Sequence, residues 1–284
     1  MMSPRPLPID HVTLAGPDLD EMRQRLAELG LETEYGGPHD NGITHMALLG
    51  FEDGSYLELI AALDRSRPSP LWPAQIAGAG GPAAWCVRSD DLVAERARLA
   101  AAGVPAKGPV PMQRRRPDGV RLEWELLFPG DDPPGATLPF VIADRTPREL
   151  RVAPSPSARA AGLAGVGWVV LGVRSIAQVS ARVQAAYGWL PGEVQQAPEW
   201  GATLAHVAGT PLVLAEPAGR EGAWLGARLE QYGDSPCAFV FTTVDAPRAA
   251  ATMPLGNETS WFGYRIGWID PAEIFGWRIG VAAL

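Results

Sequence analysis

Apolar residues recur along this chain at two periods, and the switches between them mark out a repeating unit. From Asp10 to Ala15 the pattern alternates as in a half-buried strand, with His11, Thr13 and Ala15 on one face and Val12 and Leu14 on the other. Behind Asp18, a helix-capping residue, Leu19, Met22, Leu26 and Leu29 recur at helical spacing, and Gly30 stops the helix. A Gly36-Gly37-Pro38-His39 turn follows. Thr44–Leu49 and Gly54–Ile60 then read as strands joined through Glu52-Asp53-Gly54, a hairpin signal. The unit is strand, helix, strand, strand, strand.

That rhythm returns three times. Pro68–Pro82 reads as a Pro-rich linker, after which Ala83–Val87 predicts a strand and Leu92, Ala97, Leu99 and Ala102 predict a helix ended by Gly103. A short strand near Val104 and strands at Val120–Phe128 and Leu138–Ile142 complete a second unit. Arg145–Ala161 reads as another linker. A third unit follows with a strand at Gly167–Val173, a helix over Ile176–Tyr187 ending at Gly188, and strands near Ala202–Val207 and Pro211–Ala215. The fourth starts at Cys237–Phe241, continues through a short helix after Asp245, and ends in strands around Trp261–Ile269 and Ile274–Val281. Four units of roughly 55–75 residues are an internal repetition.

Composition narrows the function classes. The apolar fraction of 46% and charged fraction of 20% describe an ordinary globular chain. A net charge of −8 argues against nucleic-acid binding, because phosphate contacts need a basic face. No apolar run approaches membrane-spanning length and Met1–Pro6 has no apolar signal core, so the expected compartment is the cytoplasm. Cys86 and Cys237, the two cysteines, sit in unrelated apolar strands and read as reduced core residues. Candidate chemistry concentrates in the first unit, which holds three of the four histidines and a glutamate, Glu58, inside an apolar strand. A buried carboxylate is costly unless it is paired or bound to a metal.

The segments Asp10–Leu14, Gly36–His39, Thr44–Leu48 and Gly54–Ile60, with Arg116–Trp124 and Leu138–Ile142 in the second unit, resemble the vicinal oxygen chelate superfamily of glyoxalases, bleomycin-resistance proteins and extradiol dioxygenases. Within it the chain is similar to the glyoxalase-like domain proteins. The resemblance spans about residues 8 to 145 and rests on element order and a few aligned glycines beyond 160. It implies an α+β fold of tandem paired βαβββ modules, each pair curling a sheet around a cavity, with domains at 1–150 and 151–284. It also implies a divalent metal held by a first-strand residue and a fourth-strand glutamate, which carry over to His11 and Glu58. Ala84 stands where the second module would have its histidine, and Phe140 and Ile142 offer no carboxylate. The third module has Trp168 and Val213 in place of His11 and Glu58, and the fourth has Phe239 on the equivalent strand. The C-terminal domain is therefore expected to lack metal ligands.

Two protein ligands are few for a catalytic metal. His45 or His39 could be the third, and His45 faces inward only if the hairpin register allows it. His11 and Glu58 are the catalytic candidates, reading either as a metal half-site or as a hydrogen-bonded pair that acts as a base without metal. Tyr56, Arg116, Trp124 and Glu125 are the expected substrate contacts. Strand alternation, however, puts Glu123 and Glu125 opposite Trp124, so the tryptophan and the glutamates cannot all line the cavity. Arg114, Arg115 and Arg116 suggest an anion clamp at the mouth, with at least two of them solvated. His206 has no acidic partner and reads as structural. The expected function is a metal-dependent lyase, isomerase or dioxygenase acting on a small organic molecule, with zinc, manganese, iron or nickel as the ion. The alternative is a metal-free binding protein of the bleomycin-resistance type. A homodimer stays open.

Overall fold

The structure is a computed structural model that describes residues 7–219 and 222–283; Met1–Pro6, read above for a signal core, lies outside them. Its first eight strands are β1 (Ile9–Gly16), β2 (Glu34–Pro38), β3 (Thr44–Gly50), β4 (Tyr56–Ala62), β5 (Gly81–Arg88), β6 (Ala106–Arg115), β7 (Arg121–Pro129) and β8 (Phe140–Asp144). They form one curled sheet in the order β2-β3-β4-β1-β5-β8-β7-β6. The next eight are β9 (Leu163–Gly172), β10 (Pro191–Ala197), β11 (Ala202–Val207), β12 (Leu212–Pro217), β13 (Ser235–Thr243), β14 (Leu255–Trp261), β15 (Tyr264–Ile269) and β16 (Ile279–Ala283). They repeat the arrangement as β10-β11-β12-β9-β13-β16-β15-β14. In each sheet two βαβββ modules meet along antiparallel first strands, β1 with β5 and β9 with β13. Each first strand also pairs in parallel with the last strand of its own module.

Alternation decides what each face carries. Val12 and Leu14 of β1 and Leu57 and Leu59 of β4 pack on Leu19, Met22 and Leu26 of α1 (Leu19–Glu28). Asp18 caps that helix by accepting from the amides of Asp20 and Glu21 at 3.0 and 3.1 Å. The same apolar body includes Leu92 and Leu99 of α3 (Leu92–Ala101), Val179 and Val183 of α6 (Ile176–Tyr187) and Ala249 of α8 (Ala246–Thr252). The helix-covered faces of the two sheets therefore share one core. Phe51 meets Phe241 across it at 5.0 Å between ring centres, and Trp85 meets Trp189 at 6.3 Å.

The concave faces differ. That of the second sheet is filled by Trp168, Trp200, Leu204, Val213, Trp261 and Trp268, with Leu225 and Leu229 of α7 (Ala223–Tyr232) closing it. Trp200 lies 4.6 and 4.7 Å from Trp261 and Trp268. Within β13 it is Ala238 and Val240 that face this interior, while Phe239 turns into the shared core.

Neither stretch expected to be a linker is a mere connection. Residues 68–82 carry the short α2 (Pro73–Ala77), and Trp72 and Ile76 are buried against Ala15, Ile60 and Phe140. Residues 145–161 carry α4 (Arg148–Arg151) and α5 (Pro156–Ala160), folded back onto the first sheet. The amide of Ser155 donates to the Gly50 carbonyl at 2.9 Å and the amide of Gly50 donates to the Ser155 hydroxyl at 3.0 Å. Gly50 is required there, since a Cβ would stand 2.1 Å from the Ala153 carbonyl. Proline and alanine content marked these stretches as loops; burial of their few large side chains makes them walls.

Candidate active site

The concave face of the first sheet encloses a cleft of about 930 Å³ including its open mouth. Its walls are mostly apolar, with Met46, Leu48, Ile60, Trp72, Trp124 and Phe140 prominent.

The polar groups gather at β1 and β4. The parallel register sets His11 beside Tyr56 and Thr13 beside Glu58, so all four side chains share the concave face. His11 stacks on Tyr56 with ring centres 4.7 Å apart. Its Nδ1 lies 2.8 Å from a carboxylate oxygen of Asp10, and its Nε2 lies 3.9 Å from Glu58 Oε2. The Thr13 hydroxyl donates to the same Glu58 oxygen at 3.2 Å. On the other side, His39 Nε2 lies 3.7 Å from Glu58 Oε1, and His39 Nδ1 is 2.9 Å from the Thr44 hydroxyl. Burial pushes the Glu58 carboxyl up, but the His39 contact, the two imidazoles and Thr13 more than offset it, and the group is held below its ordinary value.

Asp10 is fully buried and anchors a second layer. Arg151 donates to both its oxygens at 3.0 Å, to the Tyr56 hydroxyl at 2.7 Å and to Asp144 at 2.6 and 2.9 Å, while Arg148 contacts the same two carboxylates. Burial alone would raise the Asp10 carboxyl; the Arg151 charge and the His11 contact reverse that and hold it well below the ordinary range. Asp10 thus stays ionised and holds His11 through Nδ1, with Nε2 directed into the cleft toward Glu58. Desolvation drives the Tyr56 hydroxyl well above its usual value, so it remains a neutral donor.

Asp10, His11 and Cys86 also bring ligand-type atoms within 4.8 Å of one another. Their chemistry does not suit a cation. The Asp10 oxygens are committed to two guanidiniums and to His11, and burial holds Cys86 as a thiol. Facing the cleft instead are His11 Nε2 and His39 Nε2, which flank the two oxygens of Glu58 at 3.9 and 3.7 Å.

The structure brings together His11, Glu58, Tyr56 and Trp124, with His39 as the second imidazole beside Glu58. It does not bring His45 to them. The β3–β4 register pairs His45 with Ala61, which puts Thr44, Met46 and Leu48 on the concave face and His45 on the opposite one. There it meets Tyr35 at 6.0 Å, and desolvation lowers its pKa. Because Trp124 faces the cleft, Glu125 faces outward and pairs with Arg145. Arg116 is bonded to Asp118 at 2.6 Å and to the Leu150 carbonyl at 3.0 Å in an adjacent cleft, so within the 114–116 run it is Arg114 that lines the cavity, together with Arg151. In the second module Ala84 and Phe140 occupy the concave positions without ligand atoms, as read from the sequence.

Sequence reasoning missed Asp10, Arg148 and Arg151, while Arg114 was one of the three arginines read as an anion clamp. Regular alternation would turn Asp10 away from His11, but the pairing of β1 with β5 shifts register between Ile9 and His11, which re-aims the side chain. Arg148 and Arg151 came from a stretch read as linker.

Among solved structures, the chain is similar to a hypothetical protein from Staphylococcus aureus, with a TM-score of 0.66 at 15% identity over 98% of this chain and 100% of that one. It is also similar to a mutant 4-hydroxymandelate synthase from Streptomyces coelicolor (TM-score 0.62, 14% identity, 99% and 93% covered). A third is the Mn(II)-bound glyoxalase from Novosphingobium aromaticivorans (TM-score 0.59, 12% identity, 99% and 83% covered). At these identities the likeness is one of fold. A search of curated proteins gave no match. The family model described as a glyoxalase-like domain matches residues 9–202, and with the paired-module sheets this makes the chain a member of the glyoxalase-like domain family, within the vicinal oxygen chelate superfamily.

Proposed function

We propose that the first sheet's cleft is the active site of a metal-dependent enzyme acting on a small, largely apolar organic substrate. The observation that carries this reading is the donor set of His11, His39 and Glu58 at the polar end of an apolar cleft. A divalent ion held there would supply Lewis-acid polarisation of paired substrate oxygens. The rest is the work of this chain's own residues. Asp10 holds His11 through Nδ1, and Thr13 orients the Glu58 carboxylate. Tyr56, neutral and held by Arg151, can donate a hydrogen bond to a developing negative charge. Trp72, Trp124 and Phe140 exclude water and bind the apolar body of the substrate.

A metal-free binding protein is the second reading. It is favoured by the fact that Glu58 already has His11, Thr13 and His39 around it, so its charge is compensated without an ion. Elemental analysis of protein purified without chelator separates the two. The proposal expects stoichiometric divalent metal in the wild type and in His45→Ala, and loss of it in His11→Ala, His39→Ala and Glu58→Gln. No uptake of zinc, manganese, iron or nickel by the wild type would leave the binding reading in its place.

A further inference from the structure

Buried charges around the cleft balance in pairs, with one exception. Asp10 and Asp144 face Arg148 and Arg151, and Glu58 faces two histidines. Arg114 is only 2% exposed and lines the same cleft, yet it has no carboxylate within 4.0 Å among the described residues. Its side chain crosses from edge strand β6 to edge strand β2. Nη1 donates to the Gly36 carbonyl, and Nη2 donates to the Arg151 carbonyl at 3.3 Å. Those bonds occupy two of five N–H donors. Two carbonyls position a guanidinium, but they do not neutralise it, and desolvation depresses its affinity for its own proton despite the more distant Glu58. A buried charge without a partner is costly, and a single guanidinium fork matches one carboxylate.

We propose that Arg114 is the recognition group for a monoanionic carboxylate, so that the substrate class is organic acids with an apolar or aromatic body. This rests on reading the cleft as the site. The walls beside Arg114, Leu48, Met112 and Trp124, would hold the apolar body. A phosphate dianion would need a second cation, and the two that act on Arg114 are already engaged, Arg151 with Asp10 and Asp144 and Arg116 with Asp118.

The test is calorimetric titration of the full chain with 3-phenyllactate and 3-phenyllactamide, which differ in charge at one end only. The wild type should bind the acid at least about tenfold more tightly than the amide. Arg114→Met should abolish that preference while leaving amide affinity unchanged, Arg114→Lys should keep part of it, and Arg116→Met should keep all of it. Equal binding of the two probes by the wild type overturns the proposal without any variant, so a misfolded Arg114→Met cannot shelter it. Preference retained in Arg114→Met, or equal weakening of both probes, assigns Arg114 a structural role only and also overturns it. Metal content measured on the same samples keeps the two readings apart. Bound metal without acid preference defeats this inference alone, whereas acid preference without metal defeats the metal site alone.

Discussion

At the residue scale the site depends on Asp10, which makes no contact with the cleft yet sets the state of His11. It is fully buried between two guanidiniums, so replacing it leaves uncompensated positive charge in the interior. Asp10→Asn should destabilise the protein by about 3–5 kcal/mol, the usual cost of breaking a buried ion pair from one side, as read by urea unfolding at neutral pH. The pH dependence has a definite sign. The folded-state pKa of Asp10 is depressed, so its contribution is present above the unfolded value and is lost as pH falls through the folded one. The gap between wild type and Asp10→Asn should therefore narrow in acid. A gap that stays constant to the lowest pH at which both fold would mean that Asp10 is held by shape and not by charge. The same logic makes His39 testable against His45. They sit six positions apart in sequence, but only His39 reaches Glu58, so His39→Ala should change metal or ligand binding and His45→Ala should not.

At the scale of elements, the strands were legible from their alternation, which gave His11 its face; Glu58 came from the family resemblance, and alternation set Trp124 against Glu123 and Glu125 without saying which side faced the cavity. What could not be read was any side chain whose position depends on a break in regularity. Asp10 needs the register shift at β1–β5, and His45 needed the β3–β4 register, which the sequence left open. Arg151 needs α4 to fold back, and Pro- and Ala-rich composition carries no signal for that. The fold-back itself makes a prediction. Gly50 ends β3 where the Ala153 carbonyl passes closely, so Gly50→Ala must push the 152–155 segment outward. The expected cost is about 1–3 kcal/mol, typical of overpacking, and the displaced segment should loosen Arg151. Protease nicking near residues 152–155 should accelerate in the variant. Unchanged cleavage with full stability would show that the segment accommodates the methyl group and that Arg151 does not depend on this approach.

At the scale of the whole molecule, the two sheets are the same topology put to different uses. The first keeps its concave face open and polar at one end, while the second fills that space with Trp168, Trp200, Trp261 and Trp268. A filled interior needs no ligand to be stable, so the second half can serve as a scaffold whose helix-covered face completes the core of the first. Phe51 against Phe241 and Trp85 against Trp189 lie at that junction, and removing the second half would expose them together with much of the core behind α1 and α3. The halves should therefore unfold as one unit. Phe241→Ala, a change in the second half alone, should cost about 3–5 kcal/mol and lower a single midpoint seen equally by far-ultraviolet dichroism and by ligand binding in the first-sheet cleft. Two separated transitions, with the cleft retaining its midpoint in the variant, would instead mean that the first sheet is stable on its own and that the shared core is a docking contact between independent domains.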